Sequence, residues 1–230
     1  MCFNEKVSLM TYTAGMSGSA ALLSLNKLPE ALFYGCVSQM QLVDYFLWKN
    51  QPCDITEKNR ICNKDSLVNC NKTNKNVTAT GIIINHLEPL VLFGGITLFS
   101  KKTLPLSIII LFYIFMILIS IYTIHIFTKE EKTDNNNLCT TVSEESNPHL
   151  HWKWNGESFN YIVYPLFVII LILLSYYGLE NGHINAMLVL IGYLVSWKIY
   201  GNKRSTGAMW CFMAAFAPWL LYFIYKFKLL

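Results

Sequence analysis

Residues 103–128 read TLPLSIIILFYIFMILISIYTIHIFT, and this stretch contains no Asp, Glu, Lys or Arg. A helix of about 20 apolar residues, rising 1.5 Å per residue, crosses the hydrocarbon core of a bilayer. Because the stretch is longer than that and directly follows Lys101 and Lys102, it predicts a transmembrane helix. Residues 158–179 and 205–225 are also uncharged and bounded by charged residues, so we predict that they span the membrane too.

The composition agrees with a protein that is surrounded by lipid. Of the 230 residues, 53% are hydrophobic and 14% are charged, whereas soluble domains carry about 25% charged residues. The formal net charge of +4 is spread along the chain without a dense basic run, which argues against a nucleic-acid partner. Since long apolar blocks recur along the chain, we predict a single transmembrane domain over residues 1–230.

Four more segments complete the predicted bundle: residues 7–26, 31–48, 78–100 and 181–197. The first of them is rich in small residues at four-residue spacing, for example Gly15 and Ser19. Such spacing is typical of a helix that packs against other helices rather than against lipid. The predicted fold class is therefore all-α, a polytopic bundle of seven transmembrane helices.

Two hydrophilic loops, residues 49–77 and 129–156, are predicted to lie on the same side of the membrane. Together they contain four cysteines, and the first loop also contains two N-glycosylation motifs; the residues are Cys53, Cys62, Cys70, Cys139, Asn71 and Asn76. Cysteines and glycosylation acceptors in the same loops are typical of an oxidising exterior or lumen. We predict at least one disulfide among the four cysteines, and the three possible pairings stay open.

The basic residues indicate the orientation of the bundle. With both loops outside, Lys27, Lys101 and Lys226 lie in short segments on the inner side, as the positive-inside rule expects. Lys203 and Arg204 fall on the outer side and count against this arrangement. The predicted topology has an exterior or lumenal N-terminus and a cytoplasmic C-terminus.

Five polar residues lie inside predicted spans and form the candidate binding site: Gln39, Gln41, Asp44, His86 and Glu88. Polar groups at membrane depth are costly, which makes them functional candidates. Counted from the outer interface, Gln41 and His86 come to about the same depth. However, Gln39 and Gln41 are about 200° apart on a helix, so the five cannot all point to one spot. The structural alternative is that these side chains only hydrogen-bond to neighbouring helices.

Motifs for known catalytic chemistry are missing from the sequence. It contains no HExxH, GxSxG, phosphate-binding loop or CxxC, and its five histidines are too scattered to predict a metal site. The last predicted span has neither the mid-helix lysine that a retinal protein needs nor the histidines of a seven-helix ceramidase-type hydrolase. We therefore predict no metal and no cofactor.

Two terminal motifs carry a family resemblance. The chain begins Met-Cys-Phe, and its last span contains Trp-Cys-Phe at residues 210–212 followed by Ala214-Ala215. With Gln39, Gln41, Asp44 and Trp48, they resemble an uncharacterised family of small polytopic membrane proteins that begin MCFS and occur in bacteria and large DNA viruses. Asn4 stands in place of the family's serine, and Asp44 in place of an expected Glu. The resemblance implies a many-helix membrane protein, but no activity.

These observations favour a transporter, channel or receptor-like module for a proton, ion or small solute. The lipid bilayer is then its partner. One alternative is an intramembrane lipid-modifying enzyme of the hydrolase type, in which His86 acts with Asp44 or Glu88. Another is a structural protein of a viral envelope, since a composition rich in Asn, Lys and Ile agrees with a large virus and with a viral or host endomembrane. The sequence leaves the solute and the oligomeric state open.

Overall fold

The computed structural model describes residues 4–51, 54–56, 59–61, 70–133, 138–142, 150–152, 154, 160–200 and 206–229. In these residues the chain forms helices α1 Glu5–Ser24, α2 Leu28–Lys49, α3 Lys72–Phe99, α4 Leu106–Thr133, α5 Asn160–Gly178, α6 Gly182–Tyr200, α7 Thr206–Ala214 and α8 Ala217–Phe227. Two short antiparallel hairpins accompany them: β1 Asp54–Thr56 with β2 Asn59–Ile61, and β3 Thr140–Val142 with β4 Leu150–Trp152. The all-α prediction is confirmed.

Four helical segments are long and apolar enough to cross a membrane: Lys72–Phe99, Leu106–Thr128, Gly182–Ile199 and Thr206–Phe227. A shorter apolar helix covers Ile162–Gly178. These segments make the chain a multi-pass integral membrane protein. The first two predicted spans form helices α1 and α2, which are less apolar, and so the count of seven spans stays a prediction.

The surface of α4 shows why a bilayer is needed. Leu106, Ile117 and Ile124 are 71%, 61% and 62% exposed, and further isoleucines lie between them on the same helix. Soluble proteins rarely expose an apolar patch of this extent, because water disfavours it. Lipid removes that penalty, so α4 lies at the periphery of the bundle.

One face of helix α1 packs against α2 and α8, as its small residues predict. A Cβ added at Gly15 would come within 2.1 Å of Ser38 Oγ on α2. One added at Gly18 would come within 3.0 Å of Pro218 on α8. The absence of side chains at these two positions is what lets α2 and α8 approach the α1 backbone.

Three helix boundaries differ from the sequence predictions. Helix α3 begins at Lys72, inside the predicted loop 49–77, because the Asn71 side chain caps it by accepting a hydrogen bond from Asn74 N at 2.7 Å. Helix α4 continues to Thr133 and enters the second predicted loop. The last predicted span is divided into α7 and α8 because Pro218, in the first turn of α8, has no N–H for a helical hydrogen bond.

The two predicted loops meet at one end of the bundle. A disulfide joins Cys70 to Cys139, which confirms the predicted cross-link and selects a partner for each of these two cysteines. Next to it, Asn74 Nδ2 donates to Thr140 O at 2.9 Å, and Thr140 N donates to Asn74 Oδ1 at 3.0 Å. Cys53 and Cys62 lie outside the described residues. This end of the bundle is called the disulfide end below.

The opposite end, called the basic end below, brings together the other connections. Lys27 forms an ion pair with Glu180, which lies between α5 and α6. The Lys102 ammonium donates to the Glu180 carbonyl at 3.2 Å, and the Ser100 hydroxyl donates to the Gly178 carbonyl at 2.6 Å. These contacts tie the α1–α2, α3–α4 and α5–α6 turns to one another.

Candidate buried polar site

The five predicted site residues divide into two groups. Gln39 is only partly buried, and its Nε2 lies 3.2 Å from its own helix at Gly35 O and 3.3 Å from Met16 Sδ on α1. Gln39 therefore belongs to the α1–α2 interface. The other four side chains are buried within the bundle, namely Gln41, Asp44, His86 and Glu88.

The packing of α2 against α3 sets the depths of these four residues. Gly81 lies against Val43, and Gly95 lies against Pro29, so the two helices run antiparallel. In this register Gln41 lies opposite position 83, and His86 lies about three residues, or about 4.5 Å, further from the disulfide end. The sequence estimate that Gln41 and His86 lie at roughly the same depth stays a prediction, and this register separates them by less than one helical turn.

His86 contacts α4 through its Nδ1. This atom lies 2.7 Å from Thr123 Oγ1, and Thr123 Oγ1 also lies 2.7 Å from Ile119 O. When the Thr123 hydroxyl donates to Ile119 O, its oxygen accepts from His86 and the imidazole proton lies on Nδ1. The Nε2 atom of neutral His86 is then a lone-pair acceptor, and it is buried with no hydrogen-bond partner among the described residues.

Aromatic rings enclose His86 on the side of the disulfide end. The His86 ring lies 5.9 Å from the Tyr122 ring and 5.7 Å from the Trp154 ring, which it meets edge-on. The Tyr122 hydroxyl donates to the Trp154 carbonyl at 3.2 Å, and Trp152 stacks on Trp154. These contacts build a hydrophobic cover between His86 and the hairpin of β3 and β4.

Glu88 and Gln41 are buried without hydrogen bonds. Among the described residues, neither carboxyl oxygen of Glu88 and neither polar atom of the Gln41 amide has a hydrogen-bond partner, and both side chains are fully inaccessible to solvent. An unpaired polar group in a low-dielectric interior costs free energy, and a carboxyl group costs more than an amide when it ionises. Asp44 differs, because it is fully buried but interacts with a neighbouring group.

Two further residues belong to the site and were missed from the sequence. Asn85 is buried on α3, one residue nearer the disulfide end than His86, and its amide faces the hydroxyl of Tyr164 on α5 without reaching regular hydrogen-bond geometry. Glu88 and Tyr122 are electrostatic neighbours of the same hydroxyl. Tyr164 therefore links residues of α3 and α4 to α5.

Helix α2 carries a buried polar face that leads from the basic end toward this group. Its members follow one another at three- or four-residue intervals, which places them on one side of the helix; they are Glu30, Tyr34, Ser38, Gln41 and Asp44.

Hydrogen bonds connect the first part of this face to other helices. Glu30 Oε1 accepts from the Tyr225 hydroxyl at 2.9 Å. The Tyr34 hydroxyl donates to Asn185 Oδ1, and Asn185 Nδ2 donates to Ser175 Oγ at 2.7 Å. The spacing on α2 was visible in the sequence, but the partners on α5, α6 and α8 were not.

Comparison of the chain with models of protein families, with curated proteins and with solved structures finds no match. The functional argument therefore depends on the site itself. In the described part of the chain, no three His, Cys, Asp or Glu side chains come together in a way that could hold a metal ion. What the site offers is a buried carboxyl group, an imidazole lone pair, amides and hydroxyls.

Proposed function

We propose that the protein moves protons across the membrane by way of Glu88 and the other buried polar side chains of α2, α3 and α5, namely Gln41, Asp44, Asn85, His86 and Tyr164. The observation that carries the proposal is Glu88, a carboxyl group at membrane depth whose two oxygens have no hydrogen-bond partner in the described part of the chain. If its role were only to hold helices together, its oxygens would be paired with neighbouring donors. A carboxyl group that binds and releases a cation cannot keep permanent hydrogen bonds on both oxygens. The unpaired oxygens of Glu88 meet this requirement.

A proton suits the buried groups of α3 and α5 better than a larger solute does. The His86 imidazole is the kind of side chain that exchanges protons near neutral pH, and the Tyr164 hydroxyl, an electrostatic neighbour of Glu88, can donate or accept a hydrogen bond. On the basic side, the polar face of α2 continues from Gln41 through Ser38 and Tyr34 to Glu30. Hydrogen-bonding groups at helical spacing can pass a proton between them without opening a wide channel.

The test compares two carboxyl groups in purified protein reconstituted into liposomes. Glu88→Gln keeps the size of the side chain and removes its titration, and Glu180→Gln makes the same chemical change at an exposed carboxyl between α5 and α6. Under an imposed potential, a pH-sensitive dye inside the liposomes reports proton entry. We expect Glu88→Gln to reduce the proton flux at least about tenfold, as loss of a proton-transfer group typically does, and Glu180→Gln to leave it near the parent rate.

Two results would overturn the proposal. One is a parent protein whose proton flux does not exceed that of protein-free liposomes. The other is a Glu88→Gln variant that folds and conducts protons as the parent does, because Glu88 would then be a packing residue.

The hydrolase alternative would need a metal or a set of acid and base groups around His86, and the described residues offer no cluster of metal-ligating side chains there. The envelope-protein alternative predicts only packing and therefore no effect of Glu88→Gln on flux. Membership of the family that begins MCFS, and a viral or endomembrane location, stay proposals on the strength of the sequence motifs.

The exterior placement of the disulfide end is also proposed, and the exposed Asn71 and Asn76 support it as accessible acceptors. Glycosylation mapping tests this placement. Glycan addition at these two residues is expected. Modification of an acceptor engineered beside Lys101 would contradict the proposed orientation.

A further inference from the structure

A cleft of about 200 Å³ lies between α2, α6 and the break that separates α7 from α8. Its floor is formed by buried Phe33, Tyr34 and Trp210, and its rim by Ile191, Phe216 and Leu220. The rim side chains are between 47% and 48% exposed. The cleft therefore opens on the side of the bundle that faces the hydrocarbon of the bilayer.

The lining is uncharged and almost entirely apolar. The Tyr34 hydroxyl already donates its proton to Asn185, so a polar ligand is not needed to satisfy it. Water gains little in such a space, because it needs two or more polar partners, whereas hydrocarbon gains dispersion contacts with every wall. The chemistry of the lining thus selects an alkyl chain.

The break between α7 and α8 explains why the cleft exists. Helix α7 ends at Ala214, and α8 begins at Ala217 with Pro218 in its first turn. Because regular helix is interrupted here, the ridge of side chains that would fill the space against α6 is interrupted too. Gly192 on α6, which lines the cleft from the other side, adds no side chain.

The depth of the cleft matches a lipid tail. From Leu220 at the rim, α8 runs six residues, or about 9 Å, to Lys226 near the basic end. Lys226 is exposed, and its ammonium lies over the Tyr222 ring, 5.2 Å from the ring centroid, close to the level expected for lipid headgroups. A phospholipid with its phosphate beside Lys226 would bring the middle of an acyl chain to the cleft.

We propose that this cleft binds one acyl chain of a membrane phospholipid from the leaflet at the basic end. The inference goes beyond proton movement and does not depend on it. A bound chain would complete the packing of α6 against α7 and α8, where the protein itself leaves a gap.

Trp210 provides the readout, because it lies at the floor of the cleft and is only 5% exposed. Bromine atoms on an acyl chain quench tryptophan fluorescence on contact. The protein is reconstituted into phosphatidylcholine vesicles with or without bromine in the middle of one chain, and the Trp210 emission is taken as the parent signal minus that of Trp210→Phe. Trp197, which is 60% exposed, serves in the same way as a lipid-contacting reference.

We expect brominated lipid to remove Trp210 emission to an extent comparable with Trp197. A Gly192→Leu substitution should abolish the Trp210 quenching by filling the cleft; its Cβ would meet Trp210 at an ordinary 3.5 Å, so the backbone need not shift. The matched control is Gly94→Leu, because a Cβ at Gly94 would meet no atom within 4 Å. In this control, brominated lipid should quench Trp210 emission to the same extent as in the parent.

Three outcomes would overturn the proposal. Trp210 emission that brominated lipid does not reduce shows that no chain enters the cleft. If the Gly192→Leu variant has the circular dichroism of the parent and its Trp210 is still quenched, lipid contacts Trp210 by a route other than the cleft. Quenching by a brominated free fatty acid, but not by brominated phosphatidylcholine, assigns the cleft to a different lipid class.

Discussion

His86 Nδ1 on α3 lies 2.7 Å from the hydroxyl oxygen of Thr123 on α4, and that oxygen also lies 2.7 Å from Ile119 O, to which the hydroxyl can donate its proton. The contact links the peripheral helix α4 to the buried site. When the Thr123 proton goes to Ile119 O, the contact also leaves Nε2 as the nitrogen of His86 that is available for proton exchange.

We expect Thr123→Val to release this constraint on His86. Valine has nearly the shape of threonine but offers no acceptor, so the Nδ1 proton loses its partner and both tautomers become populated. The loss of a hydrogen bond between membrane helices should cost about 0.6–2 kcal/mol of stability. Nitrogen NMR of ¹⁵N-histidine-labelled protein distinguishes the tautomers directly. A spectrum in which His86 of the parent carries its proton on Nε2 would contradict the assignment.

The packing of α1 yields a comparison between two glycines. Gly15→Ala should destabilise the protein by about 1–3 kcal/mol, the range for overpacking, because its Cβ would lie 2.1 Å from Ser38 Oγ. Gly94→Ala should be neutral or stabilising, since the space around it is open and alanine favours helix by up to about 1 kcal/mol. Unfolding in mixed detergent micelles measures both. Equal effects of the two substitutions would show that α1 and α2 are not in close contact.

Sequence patterns predicted the helices better than they predicted the site. The uncharged run of α4 was decisive because a bilayer imposes both its length and its lack of charge. Glu88 and His86 were visible as candidates because ionisable residues are rare in spans. Asn85, Tyr164 and Asn185 were not, since neutral polar residues are common in such helices, and their importance lies in partners on helices distant in sequence. The break before Pro218 was missed because a proline does not always end a membrane helix, as Pro89 inside α3 and Pro165 inside α5 show.

The Cys70–Cys139 disulfide closes the α3–α4 hairpin at its open end. A cross-link over 69 residues would ordinarily contribute about 2–4 kcal/mol by restricting the unfolded chain. Here we expect the lower end of that range, because helices that stay inserted in the bilayer already hold the two ends near each other. Thermal unfolding of Cys70→Ser with Cys139→Ser, against Cys36→Ser as the control outside any disulfide, measures the loss. Recovery of both residues as free thiols from oxidised membranes would contradict the cross-link.

The ion pair of Lys27 and Glu180 gives a pH dependence whose sign can be stated. The hydrogen bond from Lys27 and its positive charge hold the pKa of Glu180 below its ordinary value of 4.5. The folded state therefore favours ionised Glu180, and the stabilisation is present above pH 4.5 and disappears as the pH falls through the lower folded pKa. Because the Glu180 side chain is 72% exposed, solvent screens the pair and the contribution should be at most about 1 kcal/mol.

We expect Glu180→Gln to be slightly less stable than the parent near neutral pH and to match it once Glu180 is protonated. High salt should shrink the difference as well, since it screens exposed charges. Unfolding in detergent over the acidic range, at low and high salt, measures both effects. A difference between parent and variant that grows on acidification would mean that Glu180 is stabilised in its protonated form, and that Lys27 does not pair with it.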